Sequence, residues 1–459
     1  MARCLRVVGI LGWVVVVGGG ALLPAGVACA QTQKPPAQTK KAPVTPAAPP
    51  APVSKHYPIL LIATGSEPSW SARIGMKGVE RLERTGYPPI TLEPGEISAE
   101  DSGTAWTYKA KDTGTDAAVT LRLTREVCTE GTPETKYSFR AVLTHAQIGE
   151  LKGCAKIAAE QFPEFKQKNL DDDDPDKKKV VPPAITGFKN PVATAYLDAT
   201  GRVMIARGEA AKVVAPAGSQ LSFSHDGKRL LFTREDHGAA QRTIVLYDAI
   251  SGKSTDLLRG SVQAAYWSPD DSKIAFLKFV EGKWQVWTMA LGAPDKATPL
   301  FANDVLTLDG WTDAHTVLAS DATRLIWIGE NGKETQVLNV KDLYGDIFGF
   351  SSANSFRVNP INPDLLLISA EMVKPPAGVP TDPHMGGSIG FFLYEVRSKR
   401  RVILSPPKMF AEYGEWSRDG LQIFFSGWDA SRNAAIYREF WDGSGLKKVR
   451  SGIDLVVGQ

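Results

Sequence analysis

The chain has 459 residues, enough for two or three domains, and its 43% hydrophobic and 22% charged residues are typical of a globular protein. Its formal net charge of +3 is too close to neutral to indicate an anionic partner, and no stretch combines clustered Lys and Arg with aromatic residues. Nucleic-acid binding is therefore not expected. The sequence has no P-loop, dinucleotide fingerprint, C-x-x-C or H-E-x-x-H motif, so no cofactor or metal is predicted.

Residues 1–30 have the pattern of a secretory signal peptide. Two arginines precede the apolar run Val7–Leu23, and Ala28-Cys29-Ala30 provides the small residues of a cleavage site. We therefore expect a periplasmic or secreted protein. An uncleaved anchor helix and a lipid anchor at Cys29, which would make a membrane-anchored lipoprotein, remain alternatives. No second apolar stretch is long enough to cross a membrane.

Two segments have the composition of linkers. Residues 31–54 are rich in Pro and Ala and predict an extended tether, which could reach about 75 Å at ~3.1 Å per residue. Residues 161–184 are highly charged and contain the acidic run Asp171–Asp174. That run lacks the alternating carboxylates, central Gly and final Glu of a calcium loop, so it predicts a solvated linker.

Residues 55–160 predict a small all-β domain. Short alternating runs are separated by Gly, Pro and Asp turns, which is typical of a compact barrel or half-barrel with six to eight strands. In one such run the alternation places Val119, Leu121 and Leu123 inward and Arg122 outward.

Cysteine usage is consistent with export. Once residues 1–30 are removed, only Cys128 and Cys154 remain, and one pair in an exported chain predicts one disulfide. The closed loop of about 26 residues would contribute about 3–4 kcal/mol. Two unpaired buried thiols are the alternative.

Three segments of this domain resemble the META/HslJ-type domains of bacterial lipoproteins and membrane-associated proteins. They are Gly65–Ser71 (GSEPSWS), the strand that ends at Cys128, and Tyr137–Phe139 leading to Gly153–Ala155. That family has no agreed activity, so the resemblance implies a fold and a compartment.

Residues 185–459 contain five copies of one pattern, in which a turn is followed by a buried strand and a second strand. The turn positions are Ser224, Ser268, Thr312, Pro360 and Ser417, about 44, 44, 48 and 57 residues apart. Repeats of this length predict a β-propeller. A partial unit before the first copy favours six blades, closed by strands from both ends of the repeat region, with five or seven blades as the alternatives. The recurring Trp267, Trp311 and Trp416 are predicted to pack between blades.

The copies YWSPDDSKIAF, FSHDGKRLLF and WSRDGLQIFF resemble the TolB-like, WD40-like propeller repeat. The resemblance implies the fold. It does not imply one function, because the same repeat occurs in TolB, in the propellers of prolyl-oligopeptidase-type enzymes and in many other exported proteins.

One segment, Gly386–Gly390 (GGSIG), formally matches the G-x-S-x-G nucleophile motif and has His384 nearby. A nucleophile elbow needs a helix after the serine and a later histidine. The next segment predicts a strand, and no histidine follows His384, so we do not expect catalysis here.

Topology indicates where binding residues could lie. Strands in a blade alternate in direction, so every connection between a second and a third strand lies on one face, and loops on a rigid scaffold often bind ligands. The candidate rim residues on these connections are Asp236, His237, Asp382, His384, Trp428, Asp429 and Arg432.

Two functions are therefore considered. The favoured hypothesis is a non-catalytic, exported cell-envelope protein whose propeller face binds a protein or peptide. The alternative is a periplasmic hydrolase or glycan-acting enzyme with its site at the propeller channel. No catalytic residue can be named from the sequence. Carboxylates that converge at the channel would favour the enzyme, and an apolar, aromatic rim would favour docking.

Overall fold

The computed structural model describes residues 61–100, 104–131, 135–157, 193–235, 241–351, 354–381, 387–428 and 434–457. The predicted signal peptide and tether, and the charged linker, lie outside these residues. None of the helices within the described ranges is long and apolar enough to cross a membrane. The described chain is almost entirely β-structure, as predicted.

The first part of the described chain is a closed antiparallel barrel of eight strands, in which β8 pairs with β1. The strands are β1 (Leu61–Ser66), β2 (Ser69–Gly75), β3 (Gly78–Arg84), β4 (Ile90–Ala99), β5 (Ala105–Asp112), β6 (Ala118–Glu130), β7 (Thr135–His145) and β8 (Gly149–Ile157). Val119, Leu121 and Leu123 are buried in its core, whereas the side chain of Arg122 is about half exposed. The predicted alternation is therefore confirmed.

The barrel closes through a tight contact between β1 and β8. A Cβ atom on Gly65 would lie 2.3 Å from the carbonyl oxygen of Lys152, and one on Gly153 would lie 2.0 Å from that of Thr64. Only glycine allows the two backbones to approach this closely. Trp70 fixes the same contact, because its Nε1 donates a hydrogen bond to the Lys152 carbonyl at 2.9 Å.

The disulfide predicted from the cysteine count is present. Cys128 on β6 and Cys154 on β8 are joined, with their Cα atoms 5.6 Å apart. It ties together two strands that are both neighbours of β7.

The second part of the described chain is a six-bladed β-propeller, as predicted. Five blades have four strands and one has five. Blade 1 contains β9 (Ala193–Leu197), β10 (Val203–Arg207), β11 (Ala210–Ala215) and β33 (Ile453–Val457). Blade 2 contains β12 (Ser219–Phe223), β13 (Arg229–Glu235), β14 (Arg242–Asp248) and β15 (Ser254–Gly260). Blade 3 contains β16 (Val262–Trp267), β17 (Lys273–Val280), β18 (Lys283–Ala290) and β19 (Thr298–Phe301).

The remaining three blades follow in chain order. Blade 4 contains β20 (Thr307–Asp313), β21 (Thr316–Ser320), β22 (Arg324–Gly329) and β23 (Glu334–Asn339). Blade 5 contains β24 (Phe348–Gly349), β25 (Ser355–Val358), β26 (Leu365–Met372), β27 (Ser388–Glu395) and β28 (Arg401–Ile403). Blade 6 contains β29 (Phe410–Trp416), β30 (Gln422–Trp428), β31 (Ala434–Phe440) and β32 (Lys447–Arg450). A short helix, α1 (Val340–Tyr344), joins blades 4 and 5, and a 3₁₀ turn (Pro294–Lys296) lies between β18 and β19.

The ring closes where β33, the last strand, pairs with β9 in blade 1. The predicted closure by strands from both ends of the repeat region is therefore confirmed.

The repeated tryptophans lie between blades, as predicted. Each indole Nε1 donates a hydrogen bond to a backbone carbonyl on the innermost strand of the preceding blade. The pairs are Trp267 with Ser222 (3.1 Å), Trp311 with Tyr266 (3.3 Å) and Trp416 with Arg357 (3.0 Å). A buried indole N–H needs such a partner, so these bonds set the spacing of adjacent blades.

The turn of blade 5 lies one residue earlier than predicted. The N–H of Asn359 bonds to the Leu365 carbonyl, just as the N–H of Ser224 bonds to the Arg229 carbonyl. Asn359 is therefore the turn position of blade 5, one residue before the predicted Pro360.

The propeller has two faces, which are defined by strand direction. In blades 2 to 6, the innermost strand begins and the second strand ends on one side of the disc, here called the channel face. The turns after the innermost strands and between the third and fourth strands lie on the other side, here called the opposite face.

The barrel contacts blade 5 through a buried ionic network, here called the clamp. Arg84 donates two hydrogen bonds to Glu395, at 2.7 and 3.1 Å. Arg400 bonds to Asp112 at 2.8 Å and to Glu395 at 3.2 Å, and His145 Nε2 lies 3.2 Å from Asp112. All five side chains are at most 8% exposed.

Cations hold both clamp carboxylates in the ionised state. Burial by itself would raise the pKa of Asp112, but hydrogen bonds from His145 and Arg400 hold that pKa well below its usual range. Burial likewise opposes ionisation of Glu395, yet Arg84 and Arg400 lower its pKa. Each carboxylate of the clamp is thus paired with at least one arginine, although Arg84 Nε has no hydrogen-bond partner among the described residues.

Two further hydrogen bonds extend the contact. Tyr87 donates to Asp364 at 2.6 Å, and the Asn362 side chain donates to the Gly86 carbonyl at 2.7 Å. Asn362 and Asp364 lie in the turn between β25 and β26, and Arg400 lies at the end of the turn between β27 and β28. Both turns belong to the opposite face, so the barrel contacts the side of the propeller away from the channel face.

Replacing Glu395 by Gln should leave the buried Arg84 without a carboxylate partner and Arg400 with Asp112 alone, and it should lower the free energy of unfolding by about 3–5 kcal/mol at pH 7. Because both clamp carboxyl pKa values are lowered on folding, their stabilisation is present above about pH 4–5 and is lost as the pH falls further. Urea unfolding from pH 3 to 8 measures both effects. The control, Glu83→Gln, removes the exposed Arg81–Glu83 pair and should cost less than about 1 kcal/mol. Equal losses in the two variants would contradict a stabilising clamp.

A second buried acid should show the reverse pH dependence. Glu439 on β31 is 2% exposed, its Oε1 has no hydrogen-bond partner in the described part of the chain, and burial raises its pKa to about 8. Its protonated form is stable in the fold, so stability should fall as the pH rises from about 4.5 through 8. Glu439→Gln should remove this loss and stabilise the protein by on the order of 2 kcal/mol at pH 9, with little change at pH 4. Unfolding curves at the two pH values test this, and a variant that is less stable at pH 9 would contradict it.

Candidate functional site

The centre of the propeller holds a cavity of about 310 Å³ that is lined mainly by the innermost strands of blades 2 to 6. Most of its side chains come from the first halves of these strands, so the cavity lies on the channel face. Side chains that line it include Ser219, Gln220, Gln263, Tyr266, Leu306, Asp309, Asn354, Arg357, Tyr413 and Glu415.

Bulges shape the wall of this cavity. The pairing register shifts within β12, β16, β20 and β29, and each shift includes a residue with positive φ. These residues are Gln220 (51°), Ala264 (53°), Gly310 (106°) and Tyr413 (51°). Three of them are not glycine, so the backbone here is strained, a condition common at binding and active sites.

The preceding blade caps amide groups at these bulges. The N–H of Ala264 donates to the side-chain oxygen of Gln220 at 2.9 Å, and the N–H of Gly414 donates to the Ser369 hydroxyl at 3.2 Å. Adjacent blades are therefore joined at the cavity wall as well as at the tryptophans.

An ionic cluster, here called the channel cluster, lies in this cavity. Arg357 is its centre, with Nε 2.5 Å from Glu415 Oε1, Nη1 3.4 Å from Asp309 Oδ1 and Nη2 3.3 Å from the Tyr266 hydroxyl. Arg357 and Glu415 each expose about 18% of their side chains, and Asp309 exposes only 3% of its own. One arginine thus holds together acids from blades 4 and 6.

Burial determines the protonation chemistry of the channel cluster. Burial raises the pKa of Asp309 and of Glu415, and Arg357 offsets this only in part. Burial also raises the pKa of the Tyr266 hydroxyl. Burial alone would lower the pKa of Arg357, but Glu415, Tyr266 and Asp309 raise it, so this guanidinium stays charged. One guanidinium thus lies beside two carboxyl groups whose pKa values are raised.

A set of exposed apolar side chains lies on the channel face, and two of them, Leu306 and Tyr413, also line the cavity. This apolar rim consists of Phe279 (44% exposed), Leu306 (48%), Phe350 (42%), Val373 (56%) and Tyr413 (37%). They come from blades 3 to 6 and the connections between them. Phe279 also contacts the Trp284 ring, with the ring centroids 5.3 Å apart.

Of the seven rim residues predicted from the sequence, Trp428 alone lies within the described residues. It is at the channel-face end of β30 and stacks on Phe410 with ring centroids 3.6 Å apart, so it packs against the core of blade 6. Asp236, His237, Asp382, His384, Asp429 and Arg432 lie outside the described residues.

Sequence reasoning missed the channel cluster, although the repeats contain the signal. Tyr266, Arg357 and Glu415 each precede the turn residue of their blade by two positions, and alternation in the innermost strand directs that position toward the channel. Asp309 breaks the rule because the bulge in β20 displaces it by one residue. No alignment of turn positions would have placed it there.

The G-x-S-x-G match does not form a nucleophile elbow. Ser388 begins strand β27, is 1% exposed and donates a hydrogen bond to the Pro380 carbonyl at 3.0 Å. Elsewhere in the described ranges, no group of three or more His, Cys, Asp and Glu side chains is arranged to hold a metal ion.

No protein-family model matches the chain, and no curated protein matches it. Similar solved structures include TolB from Acinetobacter baumannii (12% identity, 80% of this chain and 82% of that chain, TM-score 0.45). A chain from a nidogen/laminin complex is also similar (12% identity, 58% and 98%, TM-score 0.42), as is an oligogalacturonate lyase from Vibrio parahaemolyticus (8% identity, 75% and 97%, TM-score 0.36). These likenesses concern the fold, and the six-bladed assignment rests on the sheet topology of the chain itself.

Proposed function

We propose that this protein is a non-catalytic interaction protein of the cell envelope, and that its propeller binds a protein or peptide partner on the channel face. The apolar rim carries the proposal. Exposed Phe, Leu, Val and Tyr side chains lie on the face that also holds the cavity with its ionic cluster, so this face combines apolar anchors with polar specificity groups, as docking surfaces do.

Export is supported by two features of the chain. Residues 1–30 carry the signal-peptide pattern, and the Cys128–Cys154 disulfide is of a kind that persists in oxidising compartments. The clamp supports the choice of face, because the barrel contacts the opposite face.

The alternative, an enzyme acting on a glycan or small ester, would use the channel cluster. Acids with raised pKa, such as Asp309 and Glu415, could serve as general acids. However, Arg357 bonds to both carboxylates, and Asp309 also accepts hydrogen bonds from the Thr307 hydroxyl and the Phe356 N–H. Glycoside hydrolysis needs two carboxylates with the substrate between them, whereas here a guanidinium occupies that position. We therefore prefer binding to catalysis.

Photo-crosslinking in intact cells tests the docking face. A benzoylphenylalanine at Phe279 or Phe350 should form a protein adduct, and Val373→Glu should reduce that adduct at least tenfold, because a charge placed on an apolar contact surface opposes its desolvation. The adducts are measured on denaturing gels and identified by mass spectrometry.

The matched control carries the same photoreactive residue at Ile250, which is 73% exposed on the opposite face. We expect no specific adduct there. Equal adducts at Ile250 and Phe279, or no effect of Val373→Glu, would refute the channel face as the docking surface. Turnover of model esters or glycosides that is lost in Glu415→Gln would instead support the enzyme.

A further inference from the structure

The charge inside the cavity is unbalanced. Among the described side chains that line it, the charged ones are Asp309, Arg357 and Glu415. Arg357 supplies one positive charge against two carboxyl groups, so the channel cluster carries a net charge of −1 when both acids are ionised. The remaining polar lining groups are neutral hydroxyl and amide groups, such as those of Gln220 and Gln263.

The hydrogen bonding of the two acids is also unequal. Asp309 accepts bonds from the Thr307 hydroxyl, the Phe356 N–H and Arg357. Glu415, by contrast, accepts one hydrogen bond within the described part of the chain, from Arg357 Nε to Oε1. An ionised carboxylate can accept about four, so Glu415 retains capacity for another donor.

We infer that the partner bound on the channel face inserts a lysine or arginine side chain into the cavity, where it pairs with Glu415 and Asp309. This inference rests on the proposed docking function. A basic side chain supplies the missing positive charge and the missing donors, while its aliphatic stem can pack along the apolar rim.

The same pairing predicts that binding of the basic side chain releases protons from Asp309 and Glu415. Arg357 and Tyr266 face both acids, and Tyr344, whose hydroxyl bonds to Asn354, lies near Asp309. Because burial holds the pKa of Asp309 and Glu415 above their usual values, an arriving cation favours their ionised forms and lowers both. Binding should therefore tighten as the pH rises from 5 to 8.

The test uses a phage-displayed random 12-residue peptide library panned against the full-length mature protein. Peptides that compete with one another and are lost on Val373→Glu should share a Lys or Arg. In the tightest peptide, replacing that residue by norleucine should weaken the Kd at least tenfold. Glu415→Gln should weaken the original peptide at least tenfold but the norleucine peptide by less than threefold, and should flatten the dependence of Kd on pH.

The matched control removes one negative charge at a position outside the cavity. Glu330→Gln alters an exposed acid at the end of β22 on the opposite face and should leave the Kd within twofold. If Glu415→Gln fails to fold, the norleucine peptide alone decides, because it leaves the protein unchanged. Rim-dependent peptides that need no basic residue would overturn the inference and leave the proposed function standing. Failure to obtain any rim-dependent peptide would count against both.

Discussion

The pairing of β33 with β9 is the contact on which the rest of the propeller depends. Ile453 pairs with Leu197, and Val457 pairs with Thr194, so the last strand of the chain completes the first blade. Because the last described strand is hydrogen-bonded into the first blade, the two ends of the repeat region are joined, and the innermost strands of the blades are held at fixed distances. That arrangement places acids from blades 4 and 6 within reach of one arginine from blade 5.

The clamp and the channel cluster contain the same elements, with opposite consequences. Each has an arginine between an aspartate and a glutamate. In the clamp, Arg84 and His145 supply hydrogen-bond donors to the two carboxylates in addition to those of Arg400. The carboxyl pKa values of Asp112 and Glu395 are therefore lowered. In the channel cluster Arg357 acts alone, and the pKa values of Asp309 and Glu415 rise. The clamp has as many arginines as carboxylates, and its charges are balanced within the protein. The channel cluster has one arginine for two carboxyl groups, so it can accept a further cation.

Hydrophobic alternation and repeat spacing were enough to predict the architecture. They predicted a small barrel and six blades, because burial of Val119, Leu121 and Leu123, or of an indole such as Trp267, depends on local sequence. The disulfide was predicted separately, from the cysteine count. The channel cluster was not predicted because its residues are 43 to 149 positions apart and come together only in the folded propeller. Asp309 was further concealed by the bulge in β20, which displaces it by one residue from the position that the other blades use. The clamp was missed for a similar reason, since Arg84 and Glu395 are 311 residues apart.

Placing the last described strand inside the first blade also constrains the order of events during synthesis. Strands β9 to β11 emerge early, yet their blade lacks its inner strand until about 240 further residues have been made. During that interval one side of β9 is open to pairing with other chains, the situation in which slow β-proteins aggregate. The barrel, whose strands all precede β9, has its complete set of partners from the start. During synthesis all barrel strands are therefore available for pairing while blade 1 of the propeller still lacks β33.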